Sequence, residues 1–295
     1  MTTFNIATKS CSVCGATSEQ HELTSSSAFG WSDLDLRPPE PERSSLFLWV
    51  QQCPACGYCA ADIEHGDEGL RWIIDSDEYR TQLGDTSSPA LANTFLCQAI
   101  LLEETGNEQA AAWSAINAAW ACDDEGATEA AVRARLRAVE LFRLELAEGG
   151  EFGESDELGD IFASEHALLA ELLRRAGRFD EAIEECREGQ GTFQDERWRR
   201  FLELERSLAE VGTTVAIPTG RLIDRSTYSP PSPRRLSPAC SFDGAKRRDC
   251  AHGLPATAAM TPNCVVVQHV TPTRRSRDDA MSAEQTGVSS IGLGR

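Results

Sequence analysis

Two short cysteine clusters carry the chemistry this sequence offers. Cys11 and Cys14 are separated by Ser-Val and followed by Gly15; Cys53 and Cys56 are separated by Pro-Ala and followed by Gly57. Two residues between thiolates let both sulfurs reach one ion. A glycine after the second cysteine lets the chain turn back so that backbone N–H groups face the sulfurs. Two such knuckles close a tetrahedral four-thiolate site. The pattern therefore predicts one metal held by Cys11, Cys14, Cys53 and Cys56. Four thiolates leave no open coordination position for water, so the expected ion is a structural Zn2+.

Iron is the alternative. Rubredoxins hold one redox-active iron on very similar knuckles, and ligand type alone does not separate the two metals. The Pro- and Ser-rich linker between the knuckles is longer here than in rubredoxins and favours zinc. Cys59 lies outside both knuckles and reads as a small buried side chain, with a ligand role as its alternative. With four thiolates present, His21 and His65 read as surface residues. Cys97, Cys122 and Cys186 fall on predicted helices and read as core, as does His166.

These residues sit in a chain that changes character twice. Residues 1–65 form a head rich in Cys, Pro, Gly and Ser, in which SLFLWVQQ reads as a strand leading into the second knuckle. Residues 66–212 form a body of strong helix formers, Ala, Leu, Glu and Arg. Residues 213–295 hold eight of the 13 prolines and show no helical or strand period, so this tail is expected to be disordered. So abrupt a switch at Gly212 is also what a shifted reading frame or a fusion would leave.

The body's apolar residues recur at helical spacing. Trp113, Ile116, Asn117 and Trp120 share one face; Val132, Leu136, Val139, Phe142 and Leu146 make a second stripe. Phe162, Leu169, Leu172, Leu173 and Ala176 make a third, which Gly177 stops as a left-handed cap. Trp198, Phe201, Leu204 and Leu208 make the last. LLEETGNEQAAAW and LLRRAGRFDEAIE match each other, each with an Ala five residues after its Gly: Gly106 with Ala111, Gly177 with Ala182. This resembles the tetratricopeptide repeat, in which the Gly closes one helix and the Ala packs the next. An ordinary helical bundle is the alternative. The expected fold is thus mainly α: a zinc-ribbon-like head, a tetratricopeptide-like body and a disordered tail.

The stretch FGWSDLDLRPPEPERSSLFLWVQQCPACGYCAADI, with the first knuckle and the helical body, is similar to a bacterial family known as domain of unknown function 2225. The resemblance spans residues 9–211, closest in the head, and implies zinc ligation at Cys11, Cys14, Cys53 and Cys56. It implies no activity. In the linker, Asp33, Asp35, Arg37, Glu40, Glu42 and Arg43 form either a recognition surface or a set of ion pairs that pins the loop.

Charge narrows the function classes. The chain carries −19 overall, distributed as −5, −19 and +5 over head, body and tail. An acidic head with only Lys9, Arg37 and Arg43 as cations is poorly suited to a phosphate backbone, so nucleic-acid binding by the ribbon is the lesser alternative. No Walker A loop, G-x-G-x-x-G, H-E-x-x-H or G-x-S-x-G is present. The longest Ala-rich apolar run, Ala110–Cys122, is too short to span a bilayer. No basic segment precedes an apolar one at the N-terminus, so a reducing cytoplasm is the expected compartment. The sequence thus points to a non-catalytic, zinc-containing interaction protein whose helical repeats bind a protein or peptide with a basic segment. Iron-based electron transfer remains a separate class.

Overall fold

The computed structural model describes residues 1–147, 165–192 and 196–221. The head is two hairpins. β1 (Thr3–Ser10) pairs antiparallel with β2 (Thr17–Ser25), and β3 (Gln51–Gln52) pairs antiparallel with β4 (Cys59–Ala60). In each hairpin the connecting loop is a cysteine knuckle.

The expected strand over SLFLWVQQ is a correction. Residues Arg43–Leu48 form a 3-10 helix, and only Gln51 and Gln52 pair as strand. The local cause is polar bonding: Ser44 Oγ donates to Glu40 Oε2 at 2.7 Å and Ser45 Oγ donates to the Glu42 carbonyl at 2.7 Å. These bonds draw the chain into a turn. The tight coil also buries Leu46 and Leu48, and Leu46 with Val50 joins the core of the helical body.

The body begins with two short helices, α1 (Arg71–Ile74) and α2 (Asp77–Leu83). Ser76 caps α2, its Oγ accepting from the Tyr79 N–H at 3.2 Å. The longer helices are α3 (Ala90–Glu104), α4 (Glu108–Asp124), α5 (Thr128–Ala147), α6 (Glu165–Arg175), α7 (Phe179–Thr192) and α8 (Glu196–Glu210). Each packs against the next in sequence. The turn at Gly106 shows why. Asn107 N–H donates to Leu102 O and Gly106 N–H to Glu103 O, both at 2.9 Å, which requires a left-handed residue at the bend; Gly106 has φ +74°. Gly177 closes α6 with the same pair of bonds, to Leu173 and Arg174, as its position in the sequence predicts.

α4 is buried almost all round between α3 and α5. Its alanines, among them Ala111, Ala112, Ala115, Ala118 and Ala119, let both neighbours approach closely. Ala111 and Ala182, the matched positions after the two glycines, are both fully buried. Trp120 is enclosed and meets Trp49 edge-on at 6.4 Å, while Trp113 meets Phe142 at 5.7 Å. The α5 stripe is rotated from its expected position. Val139 and Phe142 are buried, but Val132, Leu136 and Leu146 are only half-buried. Ala131, Ala134, Ala138 and Leu141 take the inner face because α5 packs on α4 and α6 at once. In the third stripe Leu169, Leu172, Leu173 and Ala176 are buried; Phe162 lies outside the described residues. In α8, Trp198 and Phe201 are buried, while Leu204 and Leu208 are half-buried.

The disorder expected from residue 213 onward does not hold for its first residues. Ile217 is buried with Leu34, Trp198 and Phe201. Leu34 N–H donates to Ile217 O at 2.9 Å, and Thr219 N–H donates to Ser32 O at 2.8 Å. One apolar residue followed by Pro218 was enough to form a bridge with Asp33, an arrangement that composition averages hide. Residues 222–295 lie outside the described residues. Among the described residues no helix is long and apolar enough to cross a membrane.

Candidate metal centre

The two knuckles are built alike. Gly15 N–H donates to Cys11 O at 2.8 Å, and Gly57 N–H donates to Cys53 O at 2.9 Å. Cys11 N–H donates to Ala16 O at 2.9 Å, and Cys53 N–H to Tyr58 O at 2.8 Å. Both glycines are left-handed, with φ +72° at Gly15 and +82° at Gly57. At Gly57 a Cβ would also fall 2.4 Å from Leu83 Cδ2, so a larger residue would have to displace that side chain as well as strain the backbone.

These loops bring Cys11, Cys14, Cys53 and Cys56 together, close enough to hold one metal ion. The Cys11 and Cys56 sulfurs are 3.7 Å apart, as are those of Cys14 and Cys53. Four metal–sulfur bonds of ~2.3 Å in a tetrahedron set sulfur–sulfur edges of about 3.8 Å. Burial works against ionisation of Cys53. The backbone N–H groups of Cys56 and Ala55 nonetheless donate to its sulfur and hold its pKa below the ordinary thiol value. At Cys11 burial wins and raises the pKa, although Cys14 and Val13 supply equivalent N–H donors. Donor set, spacing and backbone amides all fit a thiolate-bound ion.

The body holds the centre in place. Tyr79 Oη, from α2, donates to Gly57 O at 2.7 Å, and Arg80 Nη1 donates to Cys56 O at 3.3 Å. Tyr58 Oη donates to His65 O at 2.5 Å; burial pushes its pKa up to about 12, which keeps it a donor. Gln20 Nε2 from the first hairpin donates to Gln52 O in the second at 3.0 Å. Lys9 pairs with both Glu22 and Asp62 at 2.7 Å. The cysteines share one apolar cluster with Ile73, Ile74, Tyr79, Cys97 and Ile100 of the helices. The head is therefore seated on α1 to α3 by a common core.

Cys59 stands apart from the four. It is buried, and its Sγ donates to Gly57 O at 3.3 Å. His21 and His65 are exposed, and Cys97, Cys122 and Cys186 are fully buried thiols. His166 is half-buried rather than core; its Nδ1 lies 3.0 Å from Glu185 Oε2.

The charged linker forms ion pairs, but across a longer range than its own charges suggested. Arg43 pairs with Asp33 inside the loop, whereas Arg37 reaches Asp124 at the end of α4. Glu40 is exposed and holds Ser44. Asp35 is fully buried, 3.2 Å from Arg175 Nη1 and 3.8 Å from Arg135 Nη2. Both arginines also pair with Asp123. Beside them Arg174 Nε donates to Glu171 Oε2 at 3.0 Å and Glu205 Oε2 at 2.9 Å, and its Nη1 donates to Thr213 O at 2.8 Å. Sequence reasoning missed this network. Its signal was Glu171, Arg174 and Arg175 lying inside an otherwise apolar helix, which helical spacing alone reads as solvated charge.

Comparison with family models, with curated proteins and with solved structures gives no match for this chain.

Proposed function

We propose that the chain is a non-catalytic interaction protein in which a structural Zn2+ on Cys11, Cys14, Cys53 and Cys56 stabilises the head and the helical body binds a protein or peptide with a basic segment. The observation that carries the metal half is the pair of 3.7 Å sulfur–sulfur distances between two like knuckles. Zinc would supply no reaction here. Four thiolates saturate it, and its contribution is to folding. Resemblance to domain of unknown function 2225, and to tetratricopeptide repeats in the body, belongs to the same proposal.

Two features support a basic protein partner over nucleic acid. Each of the head's three cations is engaged with a carboxylate: Lys9 with Glu22 and Asp62, Arg37 with Asp124, Arg43 with Asp33. None is left to meet phosphate. Meanwhile Glu104, Glu129, Glu140, Glu203 and Glu210 are exposed on the body helices. Helical arrays of this kind present extended surfaces whose charge selects what approaches.

The test is metal analysis of freshly purified protein followed by affinity capture at two salt concentrations. One zinc per chain and a captured partner whose binding weakens with salt support the reading. Red, iron-containing protein would replace zinc by iron. A partner bound equally at low and high salt would remove the electrostatic half.

A further inference from the structure

A second group of metal-ligating side chains lies away from the cysteines. His166 stands in the first turn of α6; Glu185 and Glu188 stand one turn apart on α7 and so share a face. One ligand atom from each of the three lies within 4.8 Å of the others. Two features bring them there. Gly189 lies directly after Glu188 at the contact between the helices. A Cβ on it would fall 2.8 Å from His166 Cβ and 2.9 Å from Leu202 Cδ1, so this glycine sets how closely α6 approaches. Arg143 of α5 then divides the two oxygens of Glu185. Its Nη2 holds Oε1 at 2.8 Å, and Oε2 is left facing His166 Nδ1 at 3.0 Å.

The geometry points to a second metal site at His166, Glu185 and Glu188, taking a divalent first-row ion that prefers nitrogen and oxygen donors, Mn2+ or a close relative. One imidazole and two carboxylates are the donor set such ions accept, and a metal-bound carboxylate is ordinarily held by a further hydrogen bond, as Arg143 holds Glu185. The ion takes the place of the proton between His166 and Glu185, and Glu188, exposed at the surface and already within reach, is the third ligand. Three protein ligands leave positions for water. This site is thus open where the cysteine centre is closed. It shares no residue with the cysteine centre, so the two assignments are tested separately.

The experiment titrates Mn2+ into the full-length chain carrying one equivalent of zinc, and follows loss of the free-ion electron paramagnetic resonance signal. One saturable Mn2+ per chain is expected, with His166→Gln and Glu188→Gln each weakening it by more than about 10-fold. Zinc content should stay the same in both variants. Glu188 is exposed, so its variant keeps the test valid even if His166→Gln disturbs the helix packing. No saturable Mn2+ binding in the parent chain, or equal binding by parent and Glu188→Gln, would overturn the site.

Discussion

Asp35 and Arg175, 140 residues apart in sequence, meet as a buried pair with Oδ2 and Nη1 3.2 Å apart. Through that pair the linker between the two cysteine knuckles is tied to the C-terminal end of α6. Asp35 is flanked by Leu34, buried against Ile217, and by Leu36, whose φ of +68° is unusual for a branched side chain. The Asp33–Arg37 turn is therefore held from three directions: by charge, by apolar contact and by the strand-like bridge to Pro218.

Replacing Asp35 with Ala should be severe. Arg135 and Arg175 would keep Asp123 but lose the carboxylate between them, and breaking a buried pair from one side costs about 3–5 kcal/mol. Glu40→Ala, in the same loop but exposed, should cost less, about 1 kcal/mol, because it loses only its bonds to Ser44. Urea denaturation of the two variants measures the difference. Equal stabilities would mean that the linker does not depend on its buried pairs.

Cys53→Ser should abolish metal binding and unfold the head, because a three-thiolate remnant no longer closes the site. Cys59→Ser, one bond away from the centre's loop but outside it, should keep the metal. Elemental analysis of both proteins decides between the two cysteines. Retention of a full equivalent by Cys53→Ser would remove it from the ligand set.

Chains ending at residue 212 and at residue 221 should differ in thermal stability. The shorter one removes Ile217 from its cluster with Trp198 and Phe201, and takes from Arg174 two carbonyl acceptors, those of Thr213 and Val215. Losing a buried apolar side chain alone is worth roughly 2–5 kcal/mol. Calorimetry that gives both chains the same Tm would show that residues 213–221 add nothing to the fold.

Glu171 should make stability fall as pH rises through its raised folded pKa. Burial raises its pKa well above the ordinary value, as does the neighbouring Glu205, while Arg174 and Arg175 pull it down; Asp35 adds to the upward shift. A carboxyl whose folded pKa is raised contributes stability that is complete below the unfolded value of about 4.3. That contribution is lost as pH rises through the folded pKa. A single such group gives a limiting slope of about 1.4 kcal/mol per pH unit. Glu171→Gln, which cannot ionise, should flatten the stability profile over that fall. A profile unchanged by that substitution would assign the loss to another group.

Much of the metal centre was legible in the residues themselves. A C-x-x-C-G knuckle is a local device: the glycine, the two intervening residues and the amide donors all lie within five positions, so spacing alone specifies the geometry. The same holds for the caps at Gly106 and Gly177, where one left-handed residue and two backbone bonds end a helix. The first hairpin was not legible, since its covered face carries polar residues, Lys9, Ser18, Gln20 and Glu22, while Phe4 and Ile6 stand on the exposed one.

What no local pattern contained is the partner of each charge. Asp35, Arg135, Glu171, Arg174 and Glu205 look like solvated side chains when read along the chain, because helical periodicity records position on a face and not what that face meets. Only when the linker folds over α6, and residues 213–219 cross beside it, do these side chains leave water together. A charge taken out of water must find its counter-charge within a few ångströms. The sequence by itself determined which four cysteines come close enough to hold an ion and where the helices stop; the tertiary structure decided which charges are buried as pairs, since that depends on elements more than a hundred residues apart arriving at one place.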